Sequence, residues 1–404
     1  MRQIITSILF LLIATTIYAQ STFVRGADVS WCTEMEASGR KFYQADGQET
    51  ELFALLKQIG MNAVRLRVWV NPEGYGYGAW CDKADVLRKA ERAQQQGLDI
   101  MIDFHYSDFF ADPTRQDTPK DWSTYTFEQV KTAIADHTKD VLTAMKEKGI
   151  EPKWVQVGNE TNNGFIFNHG KIEWNTKSGS ARYANYVALS NIGYDAVKDV
   201  FPDAYVIVHI ANAFEAADYD GWFYNEFKEA GGKFDMIGLS HYPDWNDWNS
   251  TKSGVASNTN AANSVKKLGD LFKVPVMIVE TGFSVQDADK ASQVMTDLFN
   301  KTKNISQCAG IVYWEPETDG VWKPNYYTTV GWDPYKLGAF TSDGKPTTAL
   351  DAFGDGTTAI YAPPNTNNDD PTLWYDLQGR QTSFPSKGLY IMRKGQETHK
   401  VILH

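Results

Sequence analysis

Short apolar runs alternate with longer amphipathic segments along most of the chain. The apolar runs have the length and residue preferences of buried strands, and the segments between them repeat apolar positions with a helical period. Strands are predicted at 23–28, 63–68, 99–104, 154–157, 204–209, 234–239, 276–279 and 310–314, and helices at 50–59, 83–95, 126–148, 181–200, 261–271 and 290–301. Eight strands alternating with helices predict a (β/α)8 TIM barrel with long βα loops.

A doubly wound parallel sheet is the alternative fold for this alternation. That fold favours a glycine-rich phosphate-binding turn after the first strand, and residues 25–30 (RGADVS) do not form one.

Beyond residue 353 the composition changes. Residues 354–371 are rich in Gly, Thr, Asn, Asp and Pro and predict a linker, and 372–404 predict a small β-rich C-terminal tail. The barrel is therefore assigned to 20–353.

The first nineteen residues have the pattern of a signal peptide: an early arginine, a short apolar run and small residues before the predicted cut after Ala19. The apolar run is too short for a lasting membrane span. We therefore expect an exported protein that acts in the periplasm, at the cell surface or in the medium, and we expect it to be a monomer.

Charge and aromatic content narrow the class of partner. The chain has 50 acidic and 39 basic residues, a net charge of −11, which argues against nucleic acid as a partner because nucleic acids require a cationic surface. Aromatic residues make up 13% of the chain, including 13 Trp. Part of this content packs the core, but Trp and Tyr also stack on sugar rings. A polysaccharide is the partner that fits both observations.

Three cysteines are too few for a disulfide framework. A Cys32–Cys81 bridge and three unpaired thiols remain equally open interpretations of the sequence.

Polar residues close the predicted strands, and in a (β/α)8 barrel the active site forms at these C-terminal ends. In chain order they are Asp28 and Ser30, Arg65 and Arg67, Asp103 and His105, Asn159 and Glu160, His209 and Asn212, His241 and Tyr242, Glu280, and Trp314 with Glu315. Two glutamates stand out, since Glu160 follows the fourth strand and Glu280 the seventh, and these strands face each other across the barrel.

Two facing carboxyl groups suit cleavage of a glycosidic bond. One donates a proton to the leaving oxygen, and the other attacks or stabilises the anomeric carbon. A separation of about 5–5.5 Å between them predicts a covalent route with retention of configuration. The alternative for a single glutamate is a buried ion pair with Arg65 or Arg67, and for Arg67 we expect a barrel-interior ion pair.

Several stretches together resemble glycoside hydrolase family 53, the endo-β-1,4-galactanases that cut type I arabinogalactan. The family belongs to the retaining clan with catalytic glutamates on strands 4 and 7. The matching stretches are 26–39 (GADVSWCTEMEASG), 61–72 (MNAVRLRVWVNP), 103–113 (DFHYSDFFADP), 157–164 (VGNETNNG), 234–245 (FDMIGLSHYPDW) and 279–283 (VETGF).

The resemblance implies that Glu160 is the acid/base and Glu280 the nucleophile. It implies that Asn159 holds the sugar 2-hydroxyl, Arg65 orients Glu280, Tyr242 bonds Glu280, Trp314 forms the floor of the −1 subsite, and His105 and His209 form its walls. Asp28 is a further substrate-binding candidate at a strand end. Candidate sugar platforms on the loops are Trp69, Trp80, Trp122, Trp245, Trp248 and Trp322. Arg65 is expected to lower the pKa of Glu280, whereas Glu160 needs a raised pKa.

Other functions remain as alternatives. A same-clan hydrolase could cut another β-1,4-glycan such as mannan or xylan, and an inactive barrel could only bind glycans. A metal site of His105, His209 and His241 is disfavoured because the first strand lacks a His-x-His pair. No cofactor is expected for catalysis. Structural calcium near the loops after strands 7 and 8 is a further expectation, weakened by the short segment 281–290.

Overall fold

A computed structural model of the protein describes residues 23–76, 78–213, 217–243 and 254–354, together with four C-terminal strands. Eight parallel strands close into one barrel in sequence order. The strands are β1 (Val24–Asp28), β2 (Ala63–Val68), β3 (Asp99–Phe104), β4 (Trp154–Val157), β5 (Tyr205–Ile210), β6 (Met236–His241), β7 (Val276–Thr281) and β8 (Cys308–Trp314). The predicted (β/α)8 barrel is confirmed.

Long helices connect the strands, and shorter helices lie in the loops between them. They span Cys32–Ala37, Leu52–Ile59, Lys83–Gln95, Phe127–Glu147, Phe167–Gly170, Ala184–Val200, Ala217–Glu229, Gly254–Phe272, Ala288–Thr302 and Asn325–Val330. The periodicity located the six long predicted helices to within a few residues, except that Gly254–Phe272 begins seven residues earlier than residue 261. It missed Ala217–Glu229.

The barrel interior is apolar at its lower end and polar at its upper end. The lower layer contains Val24, Ala63, Met101, Trp154, Ile207, Met236, Met277, Val279 and Val312. Side chains of one strand return to the same face every second residue. Residues four positions after Val24 and Met236 therefore also point into the barrel, but nearer its C-terminal mouth, and they are polar. These positions are Asp28 and Ser240. The alternation along the strands thus places polar side chains together in the upper layer of the barrel.

Two predicted strands extend further than expected, and the difference matters for the site. β6 continues to His241 and β7 to Thr281, so Glu280 lies inside β7 rather than after it. The pairing shifts by one residue between Leu239 and Ser240, which brings Ser240 opposite Glu280. A β-bulge of this kind redirects side chains at the rim of a barrel.

The C-terminal strands form a separate unit. Contacts divide the chain after Ile360, and the second unit contains β9 (Thr372–Tyr375), β10 (Gln381–Thr382), β11 (Gly388–Lys394) and β12 (Glu397–Leu403). These strands form an antiparallel sheet in the order β10-β9-β11-β12. The predicted signal peptide and most of the predicted linker lie outside the described residues.

Cysteines and membrane spans can be checked against the described residues. Cys32, Cys81 and Cys308 are all buried free thiols, so the structure has no Cys32–Cys81 bridge. Among the helices that the structure describes, none combines the length and apolar character needed to cross a bilayer.

Candidate active site

Glu280 is held from two sides at the mouth of the barrel. Its Oε1 lies 3.0 Å from Nη2 of Arg65, and its Oε2 accepts a hydrogen bond of 2.9 Å from the Tyr242 hydroxyl. The side chain is almost fully buried. Two charged or polar partners on different strands therefore fix the orientation of this carboxyl group, in the arrangement predicted for Arg65 and Tyr242.

Glu160 follows β4 and is partly exposed. Its Oε1 accepts a 2.6 Å hydrogen bond from the Ser240 hydroxyl, and its backbone N–H donates to Nδ1 of His209. Ser240 lies opposite Glu280 in the pairing of β6 with β7, and neighbouring strands are about 4.7–4.9 Å apart. Ser240 thus bonds the Glu160 carboxyl group and is the strand neighbour of Glu280, so the two glutamates lie close together at the mouth of the barrel.

The two carboxyl groups influence each other's protonation. Burial raises the pKa of Glu160 well above its usual value, and the neighbouring charge of Glu280 raises it further. Burial also raises the pKa of Glu280, to about 7, although Arg65 lowers it. The negative charge of Glu280 thus favours the protonated form of Glu160, which is the form that a general acid needs.

The expected net lowering of the Glu280 pKa is wrong. Arg65 does lower it, but its one positive charge is shared, because Asp28 and Asp103 lie 2.6 and 2.8 Å from the same guanidinium. These two carboxylates raise the pKa of Glu280 in turn, and burial is the largest influence. One cation among three carboxylates cannot offset the loss of water around Glu280.

Arg65 and Asp28 belong to a buried network below the pocket. Asp28 has 0% and Arg65 1% of its surface exposed. Neither residue offers a sugar any surface, so the assignment of Asp28 as a substrate-binding residue is wrong, whereas Arg65 orients Glu280 as expected. Asp28 pairs with Arg65 and accepts hydrogen bonds from the Ser30 backbone and hydroxyl, and it thereby supports the residue that orients Glu280.

The two predicted wall histidines lie in the same buried layer. His105 bonds Asp103 through Nε2 and accepts from the Ala111 backbone through Nδ1, so both ring nitrogens have partners inside the protein. His209 is 0% exposed, and its Nε2 lies 2.8 Å from the Ser240 hydroxyl. His209 is not a wall of the pocket, and the structure connects it to Glu160 through Ser240. Burial holds its pKa well below the usual range, so the ring is neutral.

Asn159 has an amide orientation that its neighbours determine. Its Oδ1 accepts a 2.7 Å hydrogen bond from Arg65, which can only donate, and its Nδ2 donates to the Ala111 carbonyl at 2.8 Å. The amide oxygen therefore points towards Arg65, and one of the two Nδ2 protons is left over after the bond to the Ala111 carbonyl. The contact expected between Asn159 and a sugar 2-hydroxyl would use that proton and stays a prediction.

The predicted aromatic platforms divide into exposed and buried rings. Trp314, Trp322 and Trp80 are partly exposed. Trp314 packs edge-to-face on Tyr335 with ring centroids 4.6 Å apart, which fixes its plane. Trp69 is 0% exposed, so its assignment as a sugar platform is wrong.

The burial of Trp69 follows from its neighbours: it packs on Phe109 and Phe110 and lies against the Arg67 guanidinium. Trp122 is also buried, at 6% exposed. Trp245 and Trp248 lie outside the described residues.

Arg67 forms the barrel-interior ion pair that was expected. Its Nη1 pairs with Oε1 of Glu315, whose Oε2 accepts from the Trp31 backbone at 3.0 Å. Glu315 is fully buried. This carboxyl group is therefore occupied inside the protein and does not face the pocket.

The metal alternative finds no support in the positions of the histidines. His241 points away from the other two and bonds Asn258 at 2.8 Å. Among the described residues, no group of three His, Cys, Asp or Glu side chains is arranged to hold a metal ion. Calcium near the loops after β7 and β8 remains a prediction.

Comparison with known proteins agrees with this geometry. A family model described as glycosyl hydrolase family 53 matches residues 24–353, which include all eight strands of the barrel. The chain belongs to glycosyl hydrolase family 53.

Proteins named galactanases match this chain over most of their length. The chain is 31% identical over 339 residues to the arabinogalactan endo-β-1,4-galactanase of Cellvibrio japonicus, covering 77% of this chain and 85% of that one. It is 29% identical over 380 residues to the endo-β-1,4-galactanase of Bacillus subtilis, covering 87% and 80%. A solved fungal β-1,4-galactanase matches with a TM-score of 0.69 and 25% identity, covering 82% of this chain and 99% of the fungal one.

Ser240 is the site residue of this family 53 chain that sequence reasoning missed. It bonds Glu160 directly, yet the two residues are 80 positions apart. A serine inside an apolar strand gives little signal by itself. Its position two residues before Tyr242 places both side chains on the same side of the strand and could have identified it.

Proposed function

We propose that this family 53 protein hydrolyses internal β-1,4-galactosidic bonds of type I (arabino)galactan with retention of configuration. One observation carries the catalytic part: Ser240 bonds Glu160 and pairs with Glu280 on the neighbouring strand, and the charge of Glu280 raises the pKa of Glu160. The substrate follows from the relatives that are named galactanases. The signal-peptide pattern of residues 1–19 supports action outside the cytoplasm.

The first chemical step uses the two glutamates in different protonation states. Glu280, ionised and oriented by Arg65 and Tyr242, attacks the anomeric carbon of the galactosyl unit in the −1 subsite. Glu160 delivers its proton to the departing glycosidic oxygen, so the sugar chain leaves as an alcohol and a galactosyl ester of Glu280 remains.

The second step reverses these roles. Glu160, now ionised, takes a proton from a water molecule that attacks the same carbon, and Glu280 leaves as a carboxylate. The N–H proton of Asn159 that remains beyond its bond to Ala111 would donate to the 2-hydroxyl, a contact that strengthens in the transition state. Trp314 would pack against the sugar ring.

Product analysis on linear, arabinose-free β-1,4-galactan tests the proposal. We expect a series of oligosaccharides early in the reaction, because internal cleavage shortens chains before small products accumulate. Proton NMR of the first product should show the β-anomer. Mannan and xylan serve as matched controls; preferred cleavage of either would reject the galactan assignment, and binding of galactan without new reducing ends would favour the glycan-binding alternative.

The Ser240→Ala variant should shift the pH profile to higher pH. The Ser240 hydroxyl donates to Glu160, which stabilises the ionised form and lowers the pKa of that carboxyl group. Without the hydroxyl the pKa of Glu160 rises, and the proton needed for the first step is retained at higher pH. The alkaline limb of kcat/KM on galactan should therefore move upward. Ser240→Thr keeps a hydroxyl and should stay close to wild type, whereas an unchanged limb in Ser240→Ala would show that the bond does not tune Glu160.

Removal of residues 366–404 should leave galactan turnover nearly unchanged. The site residues come from the barrel, and the C-terminal strands form their own unit. Initial rates on soluble galactan, compared at equal concentrations of folded protein, measure the effect. A large loss of kcat in a truncated protein with an unchanged barrel unfolding transition would mean that the tail contributes to the site.

A further inference from the structure

The backbone at Glu160 has an unusual conformation. Its φ angle is 46°, in the left-handed region that disfavours residues with a Cβ atom. Gly158, two residues earlier, also has a positive φ, of 83°. The chain therefore turns sharply where β4 ends, and this turn directs the Glu160 side chain into the pocket. A non-glycine residue keeps such a conformation only when its surroundings hold it.

Gln116, from the loop after β3, supplies part of that hold. Its Nε2 donates to the Asn159 carbonyl at 2.7 Å and lies 3.4 Å from the Glu160 carbonyl. The same nitrogen donates to the Asp112 carbonyl at 3.1 Å. The two N–H protons of one amide are thus shared among three carbonyl oxygens, two of which belong to the catalytic turn.

The orientation of the Gln116 amide is unambiguous. A flipped amide would place its oxygen against three carbonyl oxygens, none of which can donate a hydrogen bond. The side chain is only 1% exposed, so water does not compete for these protons. Both features make the contact a specific one rather than a chance approach of a surface side chain.

The loop that carries Gln116 is itself anchored. Oδ1 of Asp112 accepts hydrogen bonds from the backbone of Thr114 and Arg115, which closes a tight turn just before Gln116. The Gln116 carbonyl accepts from the Phe167 backbone at 2.9 Å. The glutamine is therefore fixed at both its backbone and its side-chain amide.

We propose that Gln116 is a positioning residue for the general acid, which acts by holding the Asn159–Glu160 backbone in the turn that aims Glu160 at the glycosidic oxygen. The inference rests on the proposed function of Glu160 and goes beyond it. Gln116 touches no reacting atom, so its effect must pass through the backbone of Asn159 and Glu160. The Asn159 side chain is held separately by Arg65 and the Ala111 carbonyl, which leaves Glu160 as the group that Gln116 positions. It should therefore matter for proton transfer and matter little for attack by Glu280.

The Gln116→Met substitution tests this role, because methionine has a similar length and no donor. A small displacement of a catalytic group can lower a rate by about 100-fold, so we expect kcat on galactan to fall by roughly 10- to 100-fold. Release of an acidic phenol from an activated aryl β-galactooligosaccharide needs little protonation, and its pre-steady-state burst rate should change by less than about threefold. A merely destabilised barrel would lose both rates alike.

The Glu160→Ala background gives a second readout. Without the acid, misplacing it has no consequence, so adding Gln116→Met should lower galactan turnover by less than about twofold more. Gln116→Leu repeats the test if the methionine variant does not fold.

Asn163→Leu is the matched control. It removes another amide hydrogen bond to the loop after β3, from Asn163 Nδ2 to the Pro113 carbonyl at 2.8 Å, and the bond that Asn163 Oδ1 accepts from Trp174 Nε1 at 2.6 Å. Neither bond involves Asn159 or Glu160. We expect it to retain galactan activity.

Three results would overturn the role of Gln116: equal losses on galactan and the aryl substrate, a further large loss in the Glu160→Ala background, or full galactan activity in both folded Gln116 variants. Failure of the proposed function would look different. In that case the wild-type chain would not cleave galactan, or Glu160→Ala alone would show no dependence on the leaving group.

Discussion

Replacing Glu280 with alanine is expected to lower galactan turnover by about 10⁴-fold or more, the scale of loss when a catalytic nucleophile is removed. The variant leaves Arg65 and Tyr242 in place but supplies no atom that can form the glycosyl ester. Because the two steps of the reaction both need that ester, no substrate should escape the loss. Initial rates on galactan and on an activated aryl β-galactooligosaccharide measure it.

Azide distinguishes loss of the nucleophile from loss of the fold. It can enter the space left by the Glu280 carboxyl group and attack the anomeric carbon from the same side, so the glycosyl azide should have inverted configuration. Glu280→Gln, which keeps the shape and the bond from Tyr242, should be as inactive as the alanine variant. A rescued product of retained configuration would reverse the assignment of the two glutamates.

Replacing Glu160 with alanine should produce a loss that depends on the leaving group. A sugar alcohol leaves only when its oxygen is protonated, and general acid–base catalysis contributes about 10²–10⁴-fold, so galactan cleavage should fall by at least that factor. An activated aryl substrate should retain its first step. Its second step should then limit turnover, because Glu160 no longer removes a proton from the attacking water.

A burst of phenol followed by slow turnover would identify this accumulated intermediate. Azide needs no base, so it should speed the second step and give a product of retained configuration. If Glu160→Ala were equally impaired on both substrates and insensitive to azide, Glu160 would be a structural carboxylate. The buried Glu315 offers no replacement, since Arg67 and the Trp31 backbone occupy both of its oxygens.

Periodicity in the sequence predicted the barrel because each of its eight strands is a buried apolar run. Such a run can be recognised in the sequence even where the exact end of the strand cannot. Strand ends also pointed to Glu160 and Glu280, since a parallel barrel brings the ends of all strands to one mouth. The spacing of Arg65 and Arg67 on one strand put both inside the barrel, and the structure confirms this. These conclusions need only the direction of side chains along a strand.

The same pattern could not predict how deeply each strand-end side chain is buried. Asp28, His105, His209 and Trp69 all follow or close a strand, yet the structure buries them beneath or beside the pocket. A strand-end residue faces either substrate or a second polar layer, and the choice depends on the side chains above it. The net pKa of Glu280 is a related case, because it depends on how many carboxylates share Arg65.

The sequence by itself determined the fold, the two strand-end glutamates and the resemblance to family 53, because these follow from local period and order along one chain. Only the tertiary structure decided which residues support Glu160. Ser240 reaches Glu160 across 80 residues, and Gln116 reaches the Asn159 carbonyl across 43. Such contacts arise where the end of β6, displaced against a bulge in β7, and a loop after β3 meet the end of β4. Hydrogen bonds between distant segments leave no periodic trace in either segment.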